Sequence, residues 1–434
     1  MALFDMATGV VRWLWSWWAA TGSLWLLGTV GELWQARKGL GLLPRLDDMD
    51  ALWPEDPSTL PRLTVIVAAR NEAGEVEDAM RSLLSADYPG IEIIAVNDRS
   101  TDGTGAILDR LAQADPRLRV IHVAELPMGW LGKNHALHVG AASATGEWLL
   151  FTDADVCFSP TVLRRATAFA VQRGFDHVTA APALRVHTFW LRLFVAEFSL
   201  AVTLWQRPWH AARPDHRATV GVGAFNLVRA ATFAAVGGYA ALPLAVADDV
   251  ALGRVIKGAG HRQTLVVAGG LDRAPHREPS PFLQLQWYPD LRAAVRGLEK
   301  NAFAMFDFRT PLVVLWGALG TIIAVGPLVA LWLAPGWHRL PWLISVLLAC
   351  ATFGAAGREM TGRFPWPLPL FFPIAQVMLA WTLFRSAGVT LWRGGVDWRD
   401  TFYPLHELRR AQLGPRRLRC VEAGARGRGA ARVP

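Results

Sequence analysis

EWLLFTDAD, residues 147 to 155, carries the apolar run WLLF into two aspartates one residue apart. A short apolar run that stops at a polar turn reads as a strand buried on both faces, and such strands belong to parallel sheets. The pattern occurs three times upstream, in LTVIVAA (63 to 69), IEIIAVND (91 to 98) and LRVIHVA (118 to 124). Helical stretches separate the runs. ARNEAGEVEDAMRSLLSA sets Val76, Met80, Leu83 and Leu84 at helical spacing, STDGTGAILDRLAQA opens on Ser100 or Thr101 as N-cap, and KNHALHVGAASATG follows. Strand and helix in alternation predict βαβ units and a mostly parallel sheet.

In open sheets of this kind ligands bind at the carboxyl ends of the strands. Three such ends here are polar: Arg70-Asn71-Glu72, then Asn97-Asp98 through Gly103, then Asp153-Ala154-Asp155. Any one of them is an ordinary solvated turn. Converging on one sheet edge, the carboxylates repel unless a cation and an anionic ligand relieve them. Mg²⁺ or Mn²⁺ suits oxygen ligands and is commonly shared with substrate phosphates. Lys133 opens a helix, where backbone N–H groups already favour an anion. Asp248 and Asp249 precede another helix, as capping acids or as a general base within reach of a hydroxyl.

Outside this region the chain is built for lipid. With 434 residues, 52% of them hydrophobic, it has room for one domain plus a membrane part. Residues 13 to 34 form an apolar, tryptophan-rich stretch followed by Arg37 and Lys38, which predicts an anchor with its C-terminal end in the cytoplasm. Residues 311 to 333, 341 to 356 and 365 to 388 form a second apolar block. The basic tail beyond it belongs inside, whereas three full crossings would leave it outside. The proline-led third segment is therefore expected to be re-entrant or interfacial. The net charge of +8 sits mostly beside these segments and in the tail, where anionic headgroups are a sufficient partner, and no nucleic-acid-binding signature is present. Cys157, Cys350 and Cys420 share no metal spacing and form no disulfide framework.

Taken in order, AARNEA, VNDRSTDGT, GKNHAL, TDAD, GAFNLVRAATFAAVGGY and ADDVALGRVIKGAG resemble the family 2 glycosyltransferases of the GT-A fold. The membrane layout, with RGLEKNAF (296 to 303) and RGGVDWRDTFYPL in the tail, looks like the lipid-modifying branch that includes carotenoid- and hopanoid-associated enzymes. The resemblance implies an α/β, Rossmann-like GT-A domain flanked by N- and C-terminal transmembrane helices. Its layout would be an anchor (1–36), a linker (37–62), the catalytic domain with interfacial helices (63–300), a C-terminal membrane region (301–390) and a basic cytoplasmic tail (391–434). It further implies that Glu72 and Asp98 bind the nucleoside, that Lys133 lies near the nucleoside diphosphate, that Asp153 contacts the donor and helps hold a metal ion with Asp155, and that Asp249 is the base, with Asp248 as the alternative. The donor would be a nucleotide-sugar, UDP by family habit, and the acceptor a lipid hydroxyl at the inner membrane.

The departures matter as well. Processive polysaccharide synthases of this family carry Q-x-x-R-W, and Leu283-Gln284-Leu285-Gln286-Trp287 lacks both the expected Gln and the Arg, so Trp287 is expected in the core rather than in an acceptor wall. TFWLRLFVAEFSLAVTLW (188 to 205) is nearly long enough to span, but a crossing there would separate Asp155 from Asp249. Arg192 and Glu197 also argue against lipid burial, which leaves an interfacial amphipathic helix or a buried helix of the domain. A nucleotidyltransferase would carry a glycine-rich basic loop after the first strand, where ARNEAGEV is acidic. A degenerate, non-enzymatic domain would have lost acids that are all present here.

Overall fold

The computed structural model describes residues 2–49, 59–268, 282–361, 364–399 and 401–412. Asp50, Pro54 and Pro57 of the expected linker, and Arg416, Arg417, Arg419 and Cys420 of the tail, lie outside the described residues. After a long first helix, α1 (Ala2–Leu40), the chain enters the alternating region as β1 (Leu63–Ala69), α2 (Val76–Leu84), β2 (Ile91–Asp98), α3 (Thr104–Ala114), β3 (Leu118–Val123), α4 (Gly132–Ala142) and β4 (Trp148–Asp153). It continues through β5 (Cys157–Phe158), α5 (Val162–Arg173), β6 (His177–Ala181), β7 (Ala183–Leu184), α6 (Phe189–Gln206), β8 (Asn226–Arg229), α7 (Ala230–Ala235), α8 (Asp248–Gly258), β9 (Gln263–Val267) and β10 (Leu283–Leu285).

Seven strands form the central sheet in the order β3-β2-β1-β4-β8-β6-β9. β1 pairs parallel with both β2 and β4, β2 with β3, and β6 with β9, while β8 alone runs antiparallel to its neighbours. The order places the ends of β1, β2 and β4 side by side, with Ala68 opposite Asp153 and Ala69 opposite Asn97. Strand runs are apolar because both faces are covered: every residue of β1 except Ala68 is buried. On one face α4 lies so close that a Cβ on Gly140 would stand 2.5 Å from Ile66 Cγ2. The smaller sheet, β5-β10-β7, sits to the side.

The expected N-cap of α3 is corrected. Ser100 Oγ instead accepts from the Asn71 amide, the Thr101 amide donates to Asn71 Oδ1, and Asp102 Oδ1 accepts from the Thr104 amide at 3.0 Å. Ser100 and Thr101 thus tie two strand-end loops together, and Gly103 stands at the N-cap of α3.

The remaining elements are α9 (Leu291–Met305), α10 (Thr310–Leu333), α11 (Leu340–Thr361), α12 (Phe372–Arg393) and a hairpin of β11 (Gly395–Trp398) and β12 (Thr401–Pro404). Among the described residues three helical stretches are long and apolar enough to cross a membrane: Thr310–Leu333, Gly336–Arg358 and Leu368–Arg393. The N-terminal helix is not one of them. It lies along α11, with Trp25 against Trp342, and Glu32 pairs with Arg207 at 2.9 Å.

α12 runs antiparallel to α10. Ala387 clusters with Val313, Phe384 covers Gly317, Gln376 covers Gly320, and Phe372 and Ala375 cluster with Ala324. The proline-led segment before it packs Phe364 and Leu368 into that last cluster, well along α10. The other end of α12 reaches α9, where Ser386 Oγ accepts from the Phe303 amide. The hairpin that follows stays on that side.

α6 does not lie free on a surface. Its Leu191, Phe194 and Val195 are buried with residues of α9 and α12, while Phe189, Trp190 and Trp205 are exposed. The middle of the helix is core and only its ends offer an interface.

Candidate active site

The parallel strands deliver backbone ends, and the loops after them deliver charge. All seven residues singled out in the sequence (Glu72, Asp98, Lys133, Asp153, Asp155, Asp248 and Asp249) line one cavity of about 530 Å³. Asp153 and Asp155 arrive from the end of β4, and Lys133 from the first turn of α4. Asp248 and Asp249 form the first turn of α8, where the helix dipole favours acids. The loop 221–223 passes between these groups. A Cβ on Gly223 would meet Asp153 Oδ2 at 2.9 Å, Lys133 Nζ at 3.5 Å and Asp249 Oδ2 at 3.7 Å, so the close approach depends on the bare glycine.

Lys133 Nζ is the hub. It lies 2.7 Å from Asp153 Oδ1 and 3.4 Å from Asp248 Oδ1. Burial opposes its charge, but Asp153, Asp248 and Asp249 outweigh that and hold the ammonium firmly protonated. The neighbouring acids of α8 differ. Asp248 is buried at 5% exposure and also receives the Tyr239 hydroxyl at 3.4 Å, so burial lifts it to about 6 against the pull of Lys133. Asp249 is half-buried on the cavity wall, with Oδ1 accepting from the Val250 amide at 2.8 Å.

Asp155 carries the signature of a missing ligand. Its Oδ1 is buried without a hydrogen-bond partner, and burial, then Asp153 and Glu72, raise the carboxyl to about 7. Among the described residues no group of three or more His, Cys, Asp or Glu is arranged to hold a metal ion by itself. Oxygen donors from Asp155 and Asp153 fit Mg²⁺ or Mn²⁺ completed by ligand phosphates and water.

The nucleoside-side acids are already engaged. Asp98 is held by Arg99 at 2.7 Å, with Arg70 at 3.9 Å. Glu72 pairs with Arg399 of the hairpin at 2.6 Å, and burial leaves it raised despite that guanidinium. Reasoning from sequence missed Arg399 and Lys300, which also line the cavity, because they lie far along the chain in stretches that read as membrane-proximal. RGGVDWR and RGLEKNAF were the available signals. Trp287 does both: it packs against the core and against Phe198 at 4.8 Å, and it lines the cavity with Val202, Leu285, Leu298 and Met305 in an apolar wall.

This carboxyl-edge site on a mostly parallel sheet is of the kind that binds phosphate-bearing ligands. Residues 64–217 match the model of glycosyl transferase family 2. It is similar to a beta-monoglucosyldiacylglycerol synthase from Synechocystis sp., 34% identical over 209 residues, covering 46% of this chain and 41% of that protein. A protein of the same name from Nostoc sp. is 30% identical over 35% of this chain and 33% of its own length. The chain thus spans less than half the length of these two curated relatives. A mannosyltransferase from Pyrobaculum calidifontis, solved with GDP-Man and Mn²⁺, aligns over 87% of this chain and 99% of its own at 20% identity and a TM-score of 0.49.

Proposed function

We propose that the protein is an inverting glycosyltransferase of the GT-A type that moves a sugar from a nucleotide-sugar, UDP-linked by preference, to the hydroxyl of a membrane lipid. The carrying observation is one cavity that joins the carboxylate cluster to an apolar wall supplied by α6 and α9, the helices packed on α12. The curated relatives named as diacylglycerol glucosylating enzymes support a lipid acceptor, and a carotenoid, hopanoid or diacylglycerol hydroxyl suits the same wall.

Asp249 takes the proton of the acceptor hydroxyl, since it opens to the cavity, whereas Asp248 is closed in by Lys133 and Tyr239. The acceptor oxygen bonds to the anomeric carbon from the face opposite the departing nucleoside diphosphate, the C–O bond to phosphate breaks, and configuration inverts. Asp155 and Asp153 hold the divalent cation, which when bound offsets the negative charge of the diphosphate. Lys133 keeps Asp153 and Asp248 in place and adds positive potential. Glu72 and Asp98 face the nucleoside, once Arg399 and Arg99 yield or share them.

α10 and α11 cross the bilayer and return. The proline-led segment re-enters, and α12 comes back to the catalytic side. With α1 as an N-terminal anchor, the catalytic domain and tail face the cytoplasm of a multi-pass inner-membrane protein.

The test is transfer of radiolabelled hexose from UDP- and GDP-sugars to vesicles containing diacylglycerol, a hydroxylated carotenoid or a hopanoid alcohol. Label should enter the lipid phase with wild type and not with Asp249→Asn. Label that appears only in water-soluble polymer would overturn the lipid acceptor.

A further inference from the structure

Lys300 is a cation without a counter-ion. It sits on α9, lines the cavity, and its Nζ stands 4.4 Å from the centroid of the Trp398 ring in the hairpin. Among the described residues it makes no ion pair. Burial, Arg399 and Lys133 push its ammonium down to about 8, even though Asp153 and Glu72 lie near enough to pull the other way. Next to it, Asn301 lines the same cavity with its side-chain oxygen, an acceptor, buried and unpartnered, which suits a hydroxyl or N–H of a bound nucleotide rather than its phosphates. A buried unpaired charge is costly, and an unsatisfied polar atom on a cavity wall marks a place for a ligand.

The other cations of the cavity are spoken for. Lys133 is matched by Asp153 and Asp248, Arg399 by Glu72, Arg99 by Asp98, and Arg70 by the same Asp98 at 3.9 Å. Among the described residues Lys300 is therefore the cavity cation with no carboxylate in ion-pair distance, and its natural partner is an anion. β10 itself (Leu283–Leu285) carries no cation, and Arg185 beside it bonds Gln284 Oε1 at 3.1 Å.

We propose that Lys300, seated on the Trp398 indole, is the residue that binds the diphosphate of the nucleotide donor, and that the hairpin 395–404 is thereby a working part of the donor site. The proposal rests on the glycosyltransferase reading above. It ties donor binding to residues well beyond the matched family stretch, which ends at residue 217. The Trp398 ring holds the ammonium by a cation–π contact when no nucleotide is present and leaves its N–H donors free for phosphate oxygens. A phosphate on the acceptor is the other anion of the same chemistry, and titrating nucleotide without acceptor separates the two.

The experiment is calorimetric titration of UDP and GDP, with Mn²⁺, into the full-length protein in detergent, as wild type, Lys300→Met, Lys300→Arg and Trp398→Ala. Lys300→Met should weaken the preferred nucleoside diphosphate at least tenfold and Lys300→Arg less than threefold, with Trp398→Ala between them. Because Met removes an unpaired buried charge, its ligand-free thermal midpoint should equal or exceed that of wild type. A residue that merely supports the fold would lower it. Diphosphate affinity within twofold of wild type in Lys300→Met overturns the proposal, while leaving the transferase reading intact if wild type binds. No nucleotide binding by wild type overturns both.

Discussion

Lys133 shows how the site balances its charge. One ammonium faces Asp153, Asp248 and Asp249, and two of these lie within ion-pair distance. Removing the ammonium strands the buried Asp248, while water screens the more exposed Asp153, so the cost falls below the about 3–5 kcal/mol of a fully buried pair. Lys133→Met should therefore lower the thermal midpoint by several degrees, and a midpoint equal to wild type would show that the carboxylates are relieved in some other way. The two acids of α8 should part company. Asp249→Asn is expected to cut kcat about 10²- to 10⁴-fold with donor affinity within twofold. Asp248→Asn disturbs Lys133 and Tyr239 and should lower stability as well as rate. Asp248 and Asp249 are indistinguishable as letters. Only the packing of α8 against Tyr239 and the loop at Gly223 makes one closed and the other open.

At the scale of elements, β1 to β4 were legible because strands buried on both faces read as unbroken apolar runs and end where polarity begins. β8 was not legible as the single reversed strand, since direction is set by the chain's route and not by its letters. α6 was half legible: its length and its two charges excluded a crossing, yet the choice between interface and core needed the packing of Phe194. Phe194→Ala would cost about 3–5 kcal/mol of stability and says nothing about lipid. Phe189 and Trp190 are the residues that test docking, and their joint replacement by Ser should weaken binding to anionic vesicles with little change in thermal midpoint. Glu197 on the same helix is buried with Oε2 unpartnered, and burial alone raises it to about 8. The folded state thus holds a proton that the unfolded chain releases near pH 4.5. Stability from this group is complete below the unfolded pKa and declines as pH rises through 8, by up to about 1.4 kcal/mol per pH unit. Glu197→Gln should flatten that decline between pH 5 and 8, and an unchanged slope in a melting series would refute the assignment.

Over the whole molecule, the α/β domain, α6, α9 and the hairpin after α12 share one site. α9 and the hairpin bring Lys300, Trp398 and Arg399 to a cavity whose acids lie about 50 to more than 300 residues earlier, a convergence no local pattern announces. The return of α12 to the catalytic side follows from its antiparallel packing on α10, and the basic tail is legible only as a reason to expect such a return. A reporter fused after residue 412 should therefore share the side of the membrane occupied by the catalytic domain, and opposite sides would replace the re-entrant segment with a full crossing. The central claim is that the acidic strand ends hold a cation shared with a nucleoside diphosphate. Calorimetric titration of UDP and GDP with and without Mn²⁺, in wild type and Asp155→Ala, tests it most directly. Manganese-dependent binding of one nucleotide that is lost in Asp155→Ala is the predicted result, and binding that is absent, or indifferent to both metal and Asp155, would contradict it.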